Sequence, residues 1–163
     1  MGLRSDVRVR QPAKDDLVGR RFVVTGIGSG FEGTIGIRVR RGDRVVGRGF
    51  AQSAGGGFAL GEFSTTVELD RAPRPGTRLV VEVFGDTGDD GPGSDLRRVE
   101  VICFPDLAGW LLHRVERGDT LTGIVRQARD FGRTTLAQVV AANPAVTDPD
   151  VIRVGQLLRV PLS

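Results

Sequence analysis

Between residues 7 and 104 apolar and polar positions alternate in short runs, the two-residue period of strands with one buried and one wet face. Ile35, Ile37 and Val39 point one way, and Arg38 and Arg40 the other. Phe63, Thr65, Val67 and Leu69 oppose Ser64, Thr66, Glu68 and Asp70 in the same manner. Five further runs, at 7–10, 21–27, 45–51, 78–84 and 97–104, are separated by Gly, Pro and Asp clusters that stop strand pairing. Beyond residue 109 the period changes. Leu121, Ile124, Val125 and Ala128 fall at i, i+3, i+4 and i+7, which predicts a helix with one apolar face. Asp119 is the expected N-cap of that helix, because its carboxylate can accept first-turn N–H groups and suits the positive end of the helix dipole. Leu136, Val139 and Val140 predict a second helix, opened at Thr134 or Thr135 and closed at Asn143 before Pro144. Flanking runs at 112–116 and 157–160 read as strands.

Seven short strands ahead of a strand–helix–helix–strand series predict an α+β two-domain chain. The first domain, 1–104, is expected to be an all-β immunoglobulin-like sandwich. A short linker, 105–109, holds Pro105 and Gly109 without periodic pattern, and a small βααβ domain follows at 110–163. With five linker residues, little relative motion is expected compared with a long Gly/Ser tether.

Composition narrows the classes. The 24 glycines and eight prolines in 163 residues belong to a turn-rich protein rather than a helical bundle. Arginine supplies nearly all of the 23 basic residues against 20 acids, so the isoelectric point near 10.3 reflects arginine's high pKa more than the net charge of +3. Neither half is a basic module, and nucleic acid is not an expected partner. Cys103 is the sole cysteine, which excludes an intrachain disulfide and a multi-cysteine metal site; its apolar neighbours predict a buried thiol. No run approaches the roughly 18 apolar residues of a membrane helix, so no transmembrane segment is expected. The first ten residues lack the apolar core of a signal peptide. The expected location is the cytoplasm if this is the full native chain, and the cell envelope if an export signal has been removed.

Three separated motifs stand in order in the last third: His113-Arg114-Val115-Glu116-Arg117-Gly118-Asp119-Thr120-Leu121, Ala141-Ala142-Asn143-Pro144, and Ile152-Arg153-Val154-Gly155-Gln156-Leu157-Leu158-Arg159-Val160-Pro161. This series resembles the LysM module, a small non-catalytic binder of N-acetylglucosamine-containing glycans, and the resemblance implies the βααβ fold. It departs from the simplest such sequences by a longer connection between the helices, with 129–133 as the insertion. The resemblance implies a glycan groove between the loop at Gly118 and the loop after the second helix. Gly118, Asp119, Thr120, Leu121, Pro144, Ala145 and Ile152 are the expected groove residues. Gly118 lets a ligand amide approach the backbone closely, while the alternative is that Gly118 and Asp119 only turn and cap the chain and that Leu121 and Ile152 fill the core.

In the first domain, Val24-Thr25-Gly26, Gly30-Phe31-Glu32-Gly33-Thr34-Ile35, Gly61-Glu62-Phe63-Ser64-Thr65-Thr66-Val67 and Pro75-Gly76-Thr77-Arg78-Leu79 are similar to the immunoglobulin-like domain of bacterial sporulation and germination proteins. That resemblance implies an adhesion or scaffold role without an assigned site.

Other motifs have simpler readings. Gly28, Gly30 and Gly33 spell G-x-G-x-x-G, but the residues that follow alternate as a strand, whereas a pyrophosphate-binding turn must open a helix. Arg41-Gly42-Asp43 lies between two strand runs and is expected to be a hairpin turn. His113, the only histidine, is expected to be a strand residue, and Trp110, the only tryptophan, a packing residue. The acidic stretch 86–95 lacks the ligand order of an EF-hand and reads as a solvated connection. No catalytic residue, cofactor or metal is expected.

The sequence therefore predicts a non-enzymatic binding or scaffold protein. Its partner would be peptidoglycan or N-acetylglucosamine oligomers, with a protein partner for the sandwich and a homo-oligomer as further expectations, since one module binds a sugar weakly. The alternative is an intracellular protein–protein adaptor in a phage-tail-like contractile injection particle or another assembly.

Overall fold

A computed structural model describes residues 6–86 and 95–163. The acidic stretch considered for cation binding lies, at 87–94, outside the described residues. The chain divides into two compact units. Residues 6–16, 20–72, 78–86 and 95–101 belong to the first, and 17–19, 73–77 and 102–163 to the second.

The alternating runs become β1 (Arg8–Gln11), β3 (Arg21–Gly28), β4 (Thr34–Arg41), β5 (Arg44–Gln52), β6 (Gly61–Leu69), β7 (Thr77–Gly85) and β8 (Arg97–Cys103). An eighth strand, β2 (Asp16–Val18), was not expected, because three residues are too few to show a period. The sheet order is β1-β3-β6-β5-β4-β7-β8-β2. β3 and β6 pair along their full length, from Arg21↔Glu68 to Gly28↔Gly61, whereas β5 and β6 pair at Gly47↔Leu69 and Arg48↔Glu68. Val24 and Val67 on one side of that short junction, and Ile35, Ile37, Val39, Val81 and Val83 on the other, are all fully buried. This burial on both sides of the junction is what two facing layers produce, the sandwich that alternation predicts.

Local chemistry follows the same pattern. The Arg41-Gly42-Asp43 segment is the β4–β5 hairpin, with Gly42 at φ +57° and the Arg40 guanidinium donating to the Asp43 carbonyl at 2.6 Å. Residues 31–33 form a single 3₁₀ turn leading directly into β4, so the glycine-rich segment opens a strand and not a helix. Cys103 is buried, and its Sγ lies 3.6 Å from the Gly19 carbonyl. Burial pushes the thiol up to about 12.

The second unit contains β9 (Gly109–Arg114), α1 (Leu121–Ala128), α2 (Leu136–Ala142) and β10 (Leu157–Leu162). β9 and β10 form an antiparallel pair from Gly109↔Leu162 to Arg114↔Leu157. Val115, Leu121, Ile124, Val125, Ala128, Val139, Val146, Leu158 and Val160 make one buried cluster. α1 and β10 contribute through the faces their periods marked, whereas in α2 Val139 is buried but the marked Leu136 is 39% exposed. The connection between the helices is fastened to the last residues: Arg133 and Ser163 exchange N–H···O bonds of 3.0 Å in both directions. Among the described residues, no helix is long and apolar enough to cross a membrane.

Candidate functional site

The loop from β9 into α1 is built around one carboxylate. Asp119 Oδ2 accepts the Glu116 N–H at 2.8 Å and lies 2.8 Å from His113 Nε2. A carboxylate only accepts, so Nε2 is the protonated ring nitrogen of this pair. The Glu116 N–H and then the His113 ring hold the Asp119 carboxyl below its ordinary range. Asp119 is therefore a loop anchor and not the N-cap. That role falls to Thr120, whose Oγ accepts the Gly123 N–H at 3.0 Å. Both residue types can cap a helix; Asp119 is already committed one position too early. With its oxygen accepting, the Thr120 hydroxyl keeps its own proton for an outside acceptor.

Gly118 sits at φ +92°, a region that side chains with a Cβ rarely enter, and an added Cβ would meet nothing within 4 Å. The loop is thus sharply turned by glycine while its outer surface stays open. The first turn of α1 leaves backbone N–H groups that the helix cannot satisfy internally.

The second loop follows α2. Thr135 caps this helix by accepting the Gln138 N–H, and Asn143 ends it. The Asn143 side chain is buried and fully used: its amide NH₂ donates to the Val139 and Arg159 carbonyls, both at 2.7 Å, and its oxygen accepts the Arg159 N–H at 2.8 Å. It pairs with Arg159 as a strand residue would. Pro144 and Ala145 are exposed immediately beyond it.

The two loops share a floor. Leu121 opens α1, Val146 lies in the second loop, and both are buried in the same cluster, against which the half-buried Ile152 packs. Beside them, Val115 and Gly155 are joined by a 2.8 Å backbone bond. Of the seven expected groove residues, Gly118, Thr120, Pro144 and Ala145 reach the surface, Asp119 is partly enclosed by its bonds, and Ile152 divides itself between core and surface. Leu121 requires a correction. At 2% exposure its side chain fills the core, leaving only its backbone for a ligand. The partnership of His113 with Asp119 and the side-chain role of Asn143 were not visible as sequence patterns; an Asn ahead of Pro at a helix end was the one available signal.

Residues 113–161 match the LysM domain, and residues 6–92 match the immunoglobulin-like domain of bacterial spore germination. The latter covers more than half of the chain. The protein belongs to that immunoglobulin-like spore-germination family. Its fold is the immunoglobulin-like sandwich followed by a LysM domain with two helices and two strands. The chain is also 42% identical over 60 residues to the secreted LysM effector ECP6 of Passalora fulva, a stretch that is 37% of this chain and 24% of that protein. The chain thus spans about a quarter of that relative.

Proposed function

We propose that this protein is a non-catalytic binding and scaffold protein. Its LysM domain holds peptidoglycan or another N-acetylglucosamine glycan, and its immunoglobulin-like sandwich serves as spacer or docking domain. The observation that carries this reading is the pair of loops, at Gly118–Thr120 and Pro144–Ala145, over one apolar cluster inside the LysM match. A glycine-opened turn, a hydroxyl proton on Thr120 and a rim formed by Pro144, Ala145 and Ile152 suit an N-acetyl sugar, which needs a carbonyl partner and an apolar rest for its methyl group. Similarity to a secreted LysM effector supports the glycan class. Both domain types act by binding, and the site needs no nucleophile or acid–base pair. A lone module should bind weakly, with a Kd of roughly micromolar to millimolar, because each sugar hydroxyl must recover the hydrogen bonds it gave to water.

The test is co-sedimentation of the purified chain with peptidoglycan sacculi and with chitin, beside an Ala145→Trp variant. Ala145 is exposed and has no positive φ, so bulk there blocks the groove without the backbone strain that any side chain at Gly118 would add. Pelleting that the variant loses at unchanged stability supports the reading. Pelleting unaffected by the variant removes the assigned groove. No pelleting of the wild type on either polymer would favour an adaptor that binds protein, for which Phe131, 71% exposed on the extended helix connection, is the candidate contact.

A further inference from the structure

We infer a second ligand site, in the sandwich: a hollow fitted to a short segment of neutral glycan. It is an open surface hollow of about 410 Å³, lined by Arg10, Thr25, Gly26, Gln52, Glu62 and Ser64. This goes beyond the LysM reading and does not depend on it.

The lining has the chemistry of a polyhydroxylated ligand. Arg10 Nη1 and Glu62 Oε1 meet at 2.7 Å, so the two charges cancel and a charged ligand gains little. Thr25 and Ser64 stand opposite one another in the β3–β6 register, and among the described residues neither hydroxyl has a partner. Gln52 gives one amide hydrogen to Thr34 Oγ1 at 3.2 Å, leaving its carbonyl oxygen to accept. The hollow therefore presents both donors and acceptors. Vicinal sugar hydroxyls, each both donor and acceptor, pair with such an array more fully than an apolar or ionic ligand does.

Exposed apolar side chains lie further along the segment that supplies two of the lining residues. The segment 53–60, whose Ser53 and Ala54 wall the hollow, carries Phe58 at 88% and Leu60 at 50% exposure. Phe31, 59% exposed, lies on the 3₁₀ turn that touches this segment, since a Cβ at Gly57 would come within 3.2 Å of the Glu32 nitrogen. Large apolar side chains left in water on a small domain mark a contact surface, and an aromatic ring suits the C–H face of a pyranose. The loop is also fixed in advance. Ser53 Oγ donates to the Gly28 carbonyl at 2.7 Å and accepts the Gly55 N–H, and the Ser53 N–H donates to the Gly33 carbonyl at 2.8 Å. The Ala54 N–H donates to the Glu62 carbonyl at 2.9 Å. Ordering cost is thus met on folding and not on binding.

The test is a ¹H–¹⁵N NMR titration of the full chain with N-acetylglucosamine tetramer to roughly 10 mM, a range that captures Kd values near millimolar. The expected result is two groups of saturating shifts, one at Thr25, Gln52 and Ser64 and the other around Gly118, Thr120 and Ala145. Ser64→Trp should abolish the first group or raise its Kd at least tenfold and leave the second, and Ala145→Trp should do the reverse. Gln52→Ala/Ser64→Ala, which removes polar partners without adding bulk, gives the same result if Ser64→Trp disturbs folding. Shifts confined to the LysM loops overturn the inference and leave the proposed function standing. Shifts confined to the hollow overturn the LysM reading and leave this one. Absence of both overturns both.

Discussion

Replacing Asn143 with alanine should destabilise the LysM domain by about 3 kcal/mol. The side chain makes three hydrogen bonds, two to carbonyls and one from the Arg159 N–H, and is 7% exposed. At a net value of about 1 kcal/mol for each bond, the loss sums to about 3 kcal/mol, with more expected where a buried partner is left dry. A domain of this length has a total stability of only a few kcal/mol, at roughly 0.05 to 0.15 kcal/mol per residue. The variant should therefore be largely unfolded at moderate urea. The chain offers a selective probe: Trp110 on β9 is its only tryptophan, and it contains no tyrosine, so indole fluorescence reports on this domain. Urea titration should show the midpoint falling with an unchanged slope. Asn143→Asp is the stricter comparison, since it keeps the acceptor for Arg159 N–H but turns an oxygen toward the Val139 and Arg159 carbonyls. It should lose at least as much as alanine at neutral pH. An Asn143→Ala variant within about 0.5 kcal/mol of wild type would show that these bonds contribute no net stability.

Two further outcomes are expected. Because Asp119 is held below its unfolded pKa, its contribution to stability is fully present above pH ~4 and is lost as pH falls through the lower folded value, with Asp119→Asn removing that acid-side slope; Trp110 fluorescence against pH in fixed urea measures this, and an unchanged slope in the variant would contradict the assigned bonds. Cys103, with its thiol pushed up to about 12 and no exposed surface, should resist a thiol reagent at pH 8 in the native protein and react on unfolding, so rapid stoichiometric labelling of the folded chain would refute its burial.

Strand and helix periods were legible in the sequence because they are local. Side-chain direction repeats every two residues in β4 and β6 and about every 3.6 in α1, and the residues marked as inward, such as Ile37, Val67 and Ile124, are those found buried. The hairpin at Gly42 and the turn at Gly118 were legible for the same reason, each depending on a few adjacent residues. β2 escaped because three residues carry no period and its position depends on a strand more than 80 residues away. Asp119 and Thr120 are equivalent caps in composition, and only the fold, by bringing Glu116 N–H and the His113 ring to one carboxylate, decided which of them caps α1. The fold likewise made Leu121 core, turned Asn143 into a partner for β10, and assembled a hollow from Arg10, Thr25, Gln52 and Ser64, residues spread over more than 50 positions. Sequence by itself determined which faces of this chain are apolar. Which polar groups meet was decided by tertiary structure, because a hydrogen bond needs a partner within about 3 Å and chain separation says nothing about that distance.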